Sequence, residues 1–306
     1  MSALLIVLAL AFAWSMGAHY TGATMGMPHA LGAIRARPAL LLMAPLVLLG
    51  ATFASHAVER RVGAGLTDAR LSVSAQAVVI GVAFALTTLF NRLRVPTSTI
   101  QILVFAVAGT ALAVGAGVRW GEIGRLAIVW VCAPLAAAVL GFALTRALDR
   151  VRRLPGAWLG AGLVAMGAAA SFAMGANDVA NASGALVGTH TFSVLEAGAV
   201  GGAGLAAGVL TWGRPLLRRV AFEIVAVDRA MATAAQLVQA AVVLGAVAFG
   251  FFTSLNQALV GAMAGAGVAR GRETVRVETL RGIVRGWIAG PAAALALAWA
   301  LGLLAR

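Results

Sequence analysis

Apolar residues fall in ten long blocks separated by short polar connections, at 2–18, 38–56, 72–90, 97–117, 126–146, 157–175, 195–213, 231–249, 254–269 and 286–305. A helix of roughly 20 apolar residues crosses the hydrocarbon core of a bilayer. The pattern therefore predicts an all-α polytopic membrane protein with no room for a soluble domain. The first block has no positively charged approach and runs straight into a Gly-rich segment, so it is expected to be the first membrane helix and not a cleaved signal. Charged residues lie in or near the connections, with the exception of Asp178.

That exception follows 17 apolar or small residues, Ala157 to Ala173, and sits in Gly175-Ala176-Asn177-Asp178-Val179-Ala180-Asn181-Ala182-Ser183-Gly184. A carboxylate at such depth costs a few kcal/mol unless a partner or an ion holds it. Asn177, Asn181 and Ser183 are its candidate companions. The second polar feature is the segment Pro96-Thr97-Ser98-Thr99-Ile100-Gln101, matched by Phe252-Thr253-Ser254-Leu255-Asn256-Gln257; each opens an apolar block. Ser and Thr at a helix start act as caps, and their hydroxyls can also donate to a tetrahedral oxyanion.

These features recur. Met16-Gly17-Ala18 overlays Met174-Gly175-Ala176, Arg60-Arg61-Val62 overlays Arg218-Arg219-Val220, Thr97-Ser98 overlays Thr253-Ser254, Gln101 overlays Gln257, and Trp130 with Pro134 overlays Trp287 with Pro291, at offsets of 156 to 158. A duplication is the economical reading, with halves at 1–150 and 151–306. Five crossings per half place the second half upside down, as in transporters built from two inverted-topology repeats that hold substrate near the midplane. The Gly-rich segments Gly17 to Thr24 and Gly175 to Gly184 are expected to be broken or re-entrant helices, because glycine relaxes the constraint that sustains a helix. Amides freed by such a break attract anions.

Composition agrees with the blocks: 61% of residues are hydrophobic, 11% are charged, and mean hydropathy is +0.96. The net charge is +13, carried by 23 arginines and no lysine. These arginines mark connections and form no patch, so no nucleic acid partner is expected. With both termini outside, 17 of the 23 arginines fall on the inner side, which satisfies the positive-inside rule. Cys132 lies in an apolar block, makes no intrachain disulfide and is expected in the core. The sequence has no nucleophile–base pair, metal cluster or phosphate loop with lysine, so no enzyme and no cofactor are expected.

Gly175 to Ala182 resembles the signature of the inorganic phosphate transporter (PiT) family, which carries this motif twice, together with a Pro-x-Ser-Thr-Thr-His-like segment in each half. The resemblance covers nearly the whole chain. It implies a secondary active transporter, a symporter of the cell membrane importing phosphate with H⁺ or Na⁺; some relatives move sulfate. It also implies that Asn177, Asp178 and Asn181 serve the cation site, and that Ser98, Thr99 and Ser254 serve the anion, with Thr97, Thr253, Ser183, Gln101 and Gln257 beside them. The first copy departs from the pattern: His19-Tyr20 replaces Asn-Asp, Ala23 replaces the second Asn, and Gln101 and Gln257 stand where His is usual.

The loss of one carboxylate removes a hard oxygen ligand that Na⁺ wants. Proton coupling through Asp178 or His19 is therefore favoured over Na⁺, for which Asp178 and Asn181 would be the ligands. Plainer readings stand beside these. Asp178 can be a carboxyl locked by a neighbouring helix, His19 a hydrogen-bonded core residue, and Thr97, Ser98, Thr253 and Ser254 simple caps. Gln101 and Gln257 can be interhelical hydrogen-bonding groups. The rival functions are a sulfate permease of the same fold, and a non-transporting membrane sensor or subunit. A homodimer is expected from size alone.

Overall fold

The computed structural model describes residues 3–56, 58, 65–93, 95, 97–150, 156–188 (185–188 as backbone only), 192–217 and 227–305. Within them the chain is helical, and the sole β pairing is a bridge between Thr67 and Val118. The helices are α1 (Ala3–His19), α2 (Thr21–Ala30), α3 (Ala36–Ala54), α4 (Val73–Leu93), α5 (Thr99–Val114), α6 (Trp120–Arg150), α7 (Gly156–Gly188), α8 (Val194–Trp212), α9 (Arg229–Ala248), α10 (Leu255–Arg270) and α11 (Val277–Gly302). Pro96, Arg60, Arg61, Arg94, Arg152, Arg153, Arg218, Arg219, Arg306 and His190 lie outside the described residues, and the Arg-Arg-Val correspondence with them.

Among the described residues eight helices, with α1 and α2 counted together, are long and apolar enough to cross a membrane. The blocks at 97–117 and 254–269 are shorter helices of 16 residues each. Both begin in the protein interior, at Ser98 and Ser254, and each start is fixed in the same way. The serine hydroxyl accepts from the amide three residues on, Gln101 at 3.4 Å and Gln257 at 3.3 Å. Buried Ser and Thr at a helix start stop the helix from extending backward, because the side chain takes the place of the preceding turn's carbonyl.

The two Gly-rich segments behave differently. The first breaks: Tyr20 separates α1 from α2 with φ −91° and ψ 0°. The second does not, and α7 passes through Gly175 to Gly184 without interruption. The expected break there is corrected by packing. Gly175 is needed for close approach, since a Cβ on it would strike the Val47 carbonyl, and Ala, Val and Asn around it are all compatible with a buried helix. Its interior amides are therefore spent within the helix and offer nothing to an anion. Cys132 is exposed on α6 and is not a core residue; a membrane bundle turns apolar side chains outward, as Ile128, Val131 and Leu135 do on the same helix.

Helix contacts are reciprocal at the offset seen in the sequence. Gly17 abuts the Leu205 carbonyl, and Gly175 abuts the Val47 carbonyl; the partners differ by 158 in both cases. Gly208 abuts the Trp14 carbonyl as Gly50 abuts that of Phe172. Gly265 against Ala138 matches Gly109 against Leu295. Small residues let helix backbones meet closely where lipid offers no hydrophobic drive for association, and here they join α1 to α8, α3 to α7, α6 to α10 and α5 to α11.

Candidate functional site

The breaks and caps bring α1, α4, α5, α7, α9 and α10 together around a buried polar cluster. Asn177 of α7 holds the segment before α10 by both of its amide atoms. Its Nδ2 donates to the Thr253 carbonyl at 2.8 Å, and its Oδ1 accepts from the Thr253 amide at 3.1 Å. The repeat-related contact is His19 with the Thr97 carbonyl, 3.2 Å from Nε2. Asn91 donates to the Ser15 carbonyl, which leaves its Oδ1 facing His19 Nδ1. That oxygen requires His19 to carry its proton on Nδ1. Asn256 Nδ2 then donates to Nε2 at 3.1 Å and to the Thr97 carbonyl at 2.7 Å. In that tautomer Nδ1 donates to Asn91 near the end of α4 and Nε2 accepts from Asn256, so Asn256 holds the Thr97 carbonyl while Asn177 holds Thr253.

Asp178 is wholly buried and lies beside Tyr20 and Asn177. Its Oδ1 receives a long contact of 3.5 Å from Asn181 Nδ2, and its Oδ2 has no hydrogen-bond partner among the described residues. Asn181 Oδ1 is likewise without one, and its Nδ2 reaches Met16 Sδ at 3.7 Å. The two residues are three apart, so these oxygens share one face of α7. No arginine is buried among the described residues, so the Asp178 carboxyl has no cationic side chain to balance it. A buried carboxyl in that position takes its counter-charge as a proton or as a bound cation. No group of three His, Cys, Asp or Glu side chains converges among the described residues.

The Tyr20 hydroxyl, at the position related to Asp178, pairs with Thr99 Oγ1 at 2.8 Å. Ser98 and Ser254 are caps. Thr97 Oγ1 and Thr253 Oγ1 are buried without a hydrogen-bond partner among the described residues, and so are Gln101 Oε1, Gln257 Oε1 and Asn256 Oδ1. Thr97 Oγ1 points toward Gly290 of α11, where an added Cβ would lie 3.2 Å from it. Ser183 is set apart. Its hydroxyl donates to the Val179 carbonyl at 2.9 Å, and its side chain lies against Gly201 of α8, away from the Asp178 face.

Sequence reasoning overlooked Asn91, Gln236 and Gln239, and gave Asn256 no role. Gln236 Nε2 donates to the Ala23 carbonyl beside the break, and Gln239 Nε2 to the Leu255 carbonyl in the first turn of α10. Two glutamines three residues apart inside an apolar block were a legible signal, because polar groups in a span face the bundle interior. Asn91 was concealed at the end of a block, next to Arg92.

Membrane-length helices packed around a buried polar cluster that includes a carboxyl define a multi-pass membrane protein with a candidate site inside the bundle. A model described as the phosphate transporter family matches residues 16–160 and 157–298. The sulfate permease CysP of Bacillus subtilis is 27% identical over 311 residues, covering 97% of this chain and 86% of that protein. A probable low-affinity inorganic phosphate transporter of Mycobacterium tuberculosis is 29% identical over 328 residues, covering 98% and 77%. A solved structure titled the sodium-dependent phosphate transporter superposes with a TM-score of 0.86 at 21% identity, covering 99% of this chain and 98% of that one. The chain belongs to the phosphate transporter family.

Proposed function

We propose that this protein is a secondary active transporter of the cell membrane that imports inorganic phosphate with a proton, working by alternating access between two inverted repeats, with both termini outside. The observation that carries the reading is the buried Asp178 carboxyl, uncompensated by any cationic side chain and set beside the starts of two serine-capped helices. The first-turn amides of a helix have no intrahelical acceptors and favour an anion. Unpartnered acceptor oxygens on Asp178, Asn256, Gln101 and Gln257 suit an anion that itself donates hydrogen bonds, as H₂PO₄⁻ does and fully ionised sulfate does not.

The asymmetry of the two halves supports proton coupling. Tyr20 occupies the place related to Asp178 and pairs with Thr99, so at this position one half carries a carboxyl and the other a phenol. One elementary charge crossing 100 mV is worth about 2.3 kcal/mol. A single carboxyl carrying one proton moves H₂PO₄⁻ electroneutrally, whereas HPO₄²⁻ needs at least two cations. Sulfate import is the second reading, favoured by the similarity to CysP over 97% of the chain. Radiolabelled phosphate uptake into cells lacking their own carriers tests both. We expect uptake that survives replacement of Na⁺ by choline, collapses with a protonophore, and resists excess sulfate. Absence of uptake defeats transport of phosphate, and dependence on Na⁺ defeats proton coupling.

A further inference from the structure

A crevice of about 600 Å³ opens on the outer surface of the bundle between α7, α3 and the turn after α2. Its walls are small and apolar, with Ala33, Leu42, Gly160, Ala161 and Ala165 among them, and it contains one charged group, Arg229 at the start of α9. The guanidinium is anchored by two carbonyls, Gly156 at 3.2 Å and Leu31 at 3.3 Å. No carboxylate neutralises it among the described residues. The adjacent Asp228 is engaged elsewhere, Oδ1 with the Met231 amide and Oδ2 with Arg270.

The crevice follows α7 from Gly156 to Ala168, a rise of about 18 Å at 1.5 Å per residue. Half of a 30 Å hydrocarbon core is about 15 Å. An apolar channel one leaflet deep, open to the surroundings of the bundle and ending at a cation that no described carboxylate pairs, has the shape and charge of a lipid seat. We propose that it binds one anionic phospholipid, the phosphate at Arg229 and an acyl chain along the small residues of α7. Arg229 lies on the side that the arginine distribution places inward, where anionic lipids are abundant. A second copy of the chain fits less well, since a packed helix would have to supply a carboxylate to the same guanidinium.

The proposal needs no transport activity. Purified protein is titrated with phosphatidylglycerol or phosphatidylcholine and bound lipid is counted by native mass spectrometry. We expect one retained phosphatidylglycerol in the wild type, with Arg229→Gln about fivefold weaker for phosphatidylglycerol, the effect of one basic residue near the surface. Phosphatidylcholine binding should be unchanged. Arg229→Lys, which keeps the charge and forfeits the fork to two carbonyls, should retain most of the preference. Ala161→Trp fills the channel and should remove the site for both lipids while the oligomeric state is preserved. Equal phosphatidylglycerol binding by wild type and Arg229→Gln overturns the proposal. So does a wild-type lipid count in Ala161→Trp, or loss of a dimer in that variant, which would assign the crevice to a second copy.

Discussion

Replacing Asn177 by Ala removes both atoms that hold Thr253 and leaves a backbone N–H and C=O, at a residue with no solvent exposure, without their partners. Two magnitudes compete. Interhelical side-chain hydrogen bonds in membrane proteins average about 0.6 kcal/mol, which predicts a loss near 1 kcal/mol for two. An orphaned buried polar group costs about 1–3 kcal/mol, which predicts about 2–6 kcal/mol for two. The second governs here, because both groups are backbone, fixed by the α10 start, and shut off from water. Asn181→Ala is the internal control: its amide makes contacts of 3.5 and 3.7 Å and its Oδ1 has none. That variant should cost under about 1 kcal/mol, within the range of a single modest hydrogen bond. Unfolding free energies of wild type and both variants in the same detergent or bilayer should separate the two asparagines by at least about 1 kcal/mol. Equal losses, or a larger loss at Asn181, would refute the assignment of Asn177 as a clamp and return it to the ion site.

Three further outcomes follow from the same geometry. Asp178→Asn keeps shape and removes the exchangeable charge, so uptake should disappear while the unfolding midpoint stays near the wild-type value; retained uptake removes Asp178 from the mechanism. Gly17→Ala and Gly175→Ala drive a methyl into the Leu205 and Val47 carbonyls and should each destabilise by at least the about 1–3 kcal/mol of overpacking. Gly245→Ala, with nothing within 4 Å, should instead stabilise by up to about 1 kcal/mol, and an inverted order in thermal melts would contradict the reciprocal packing. Arg270 bridges Asp149 at 2.6 Å and Asp228 at 2.7 Å, tying the end of α10 to the end of α6 and the start of α9. Because Asp228 also caps α9, Asp228→Ala should exceed Asp149→Ala by about 1 kcal/mol, and a smaller effect at Asp228 would argue against that double role.

Much of the architecture was legible because a bilayer makes sequence speak plainly: an apolar block long enough to span must be a helix. The starts of α5 and α10 were legible too, since Ser98 and Ser254 announce caps that the structure places where expected. What misled was glycine. Gly17 and Gly175 both serve close approach, to Leu205 and Val47, yet the chain breaks after the first at Tyr20 and continues as a helix through the second. The asparagines differ in a way the motif does not show. Asn177 and Asn181 look equivalent in the motif, yet Asn177 meets a backbone that needs both a donor and an acceptor, while Asn181 Oδ1 and Asp178 Oδ2 have no hydrogen-bond partner among the described residues.

The same distinction explains His19 and Tyr20. A motif comparison marks them as losses, two residues where an Asn-Asp pair is usual. In the bundle they keep the start of α5 tied: His19 accepts from Asn256, which also donates to the Thr97 carbonyl as Asn177 donates to that of Thr253, and Tyr20 meets the start of α5 through Thr99. The scaffold half of the motif survives in both repeats and the ionisable half in one. The related positions thus hold one buried carboxyl, at Asp178, beside two helix starts that are each tied to the bundle. Restoring a carboxyl with Tyr20→Asp should therefore change how transport depends on cations before it changes the fold, because Thr99 keeps an acceptor opposite it. A variant that unfolds without gaining any new cation dependence would mean that Tyr20 is structural in its own right.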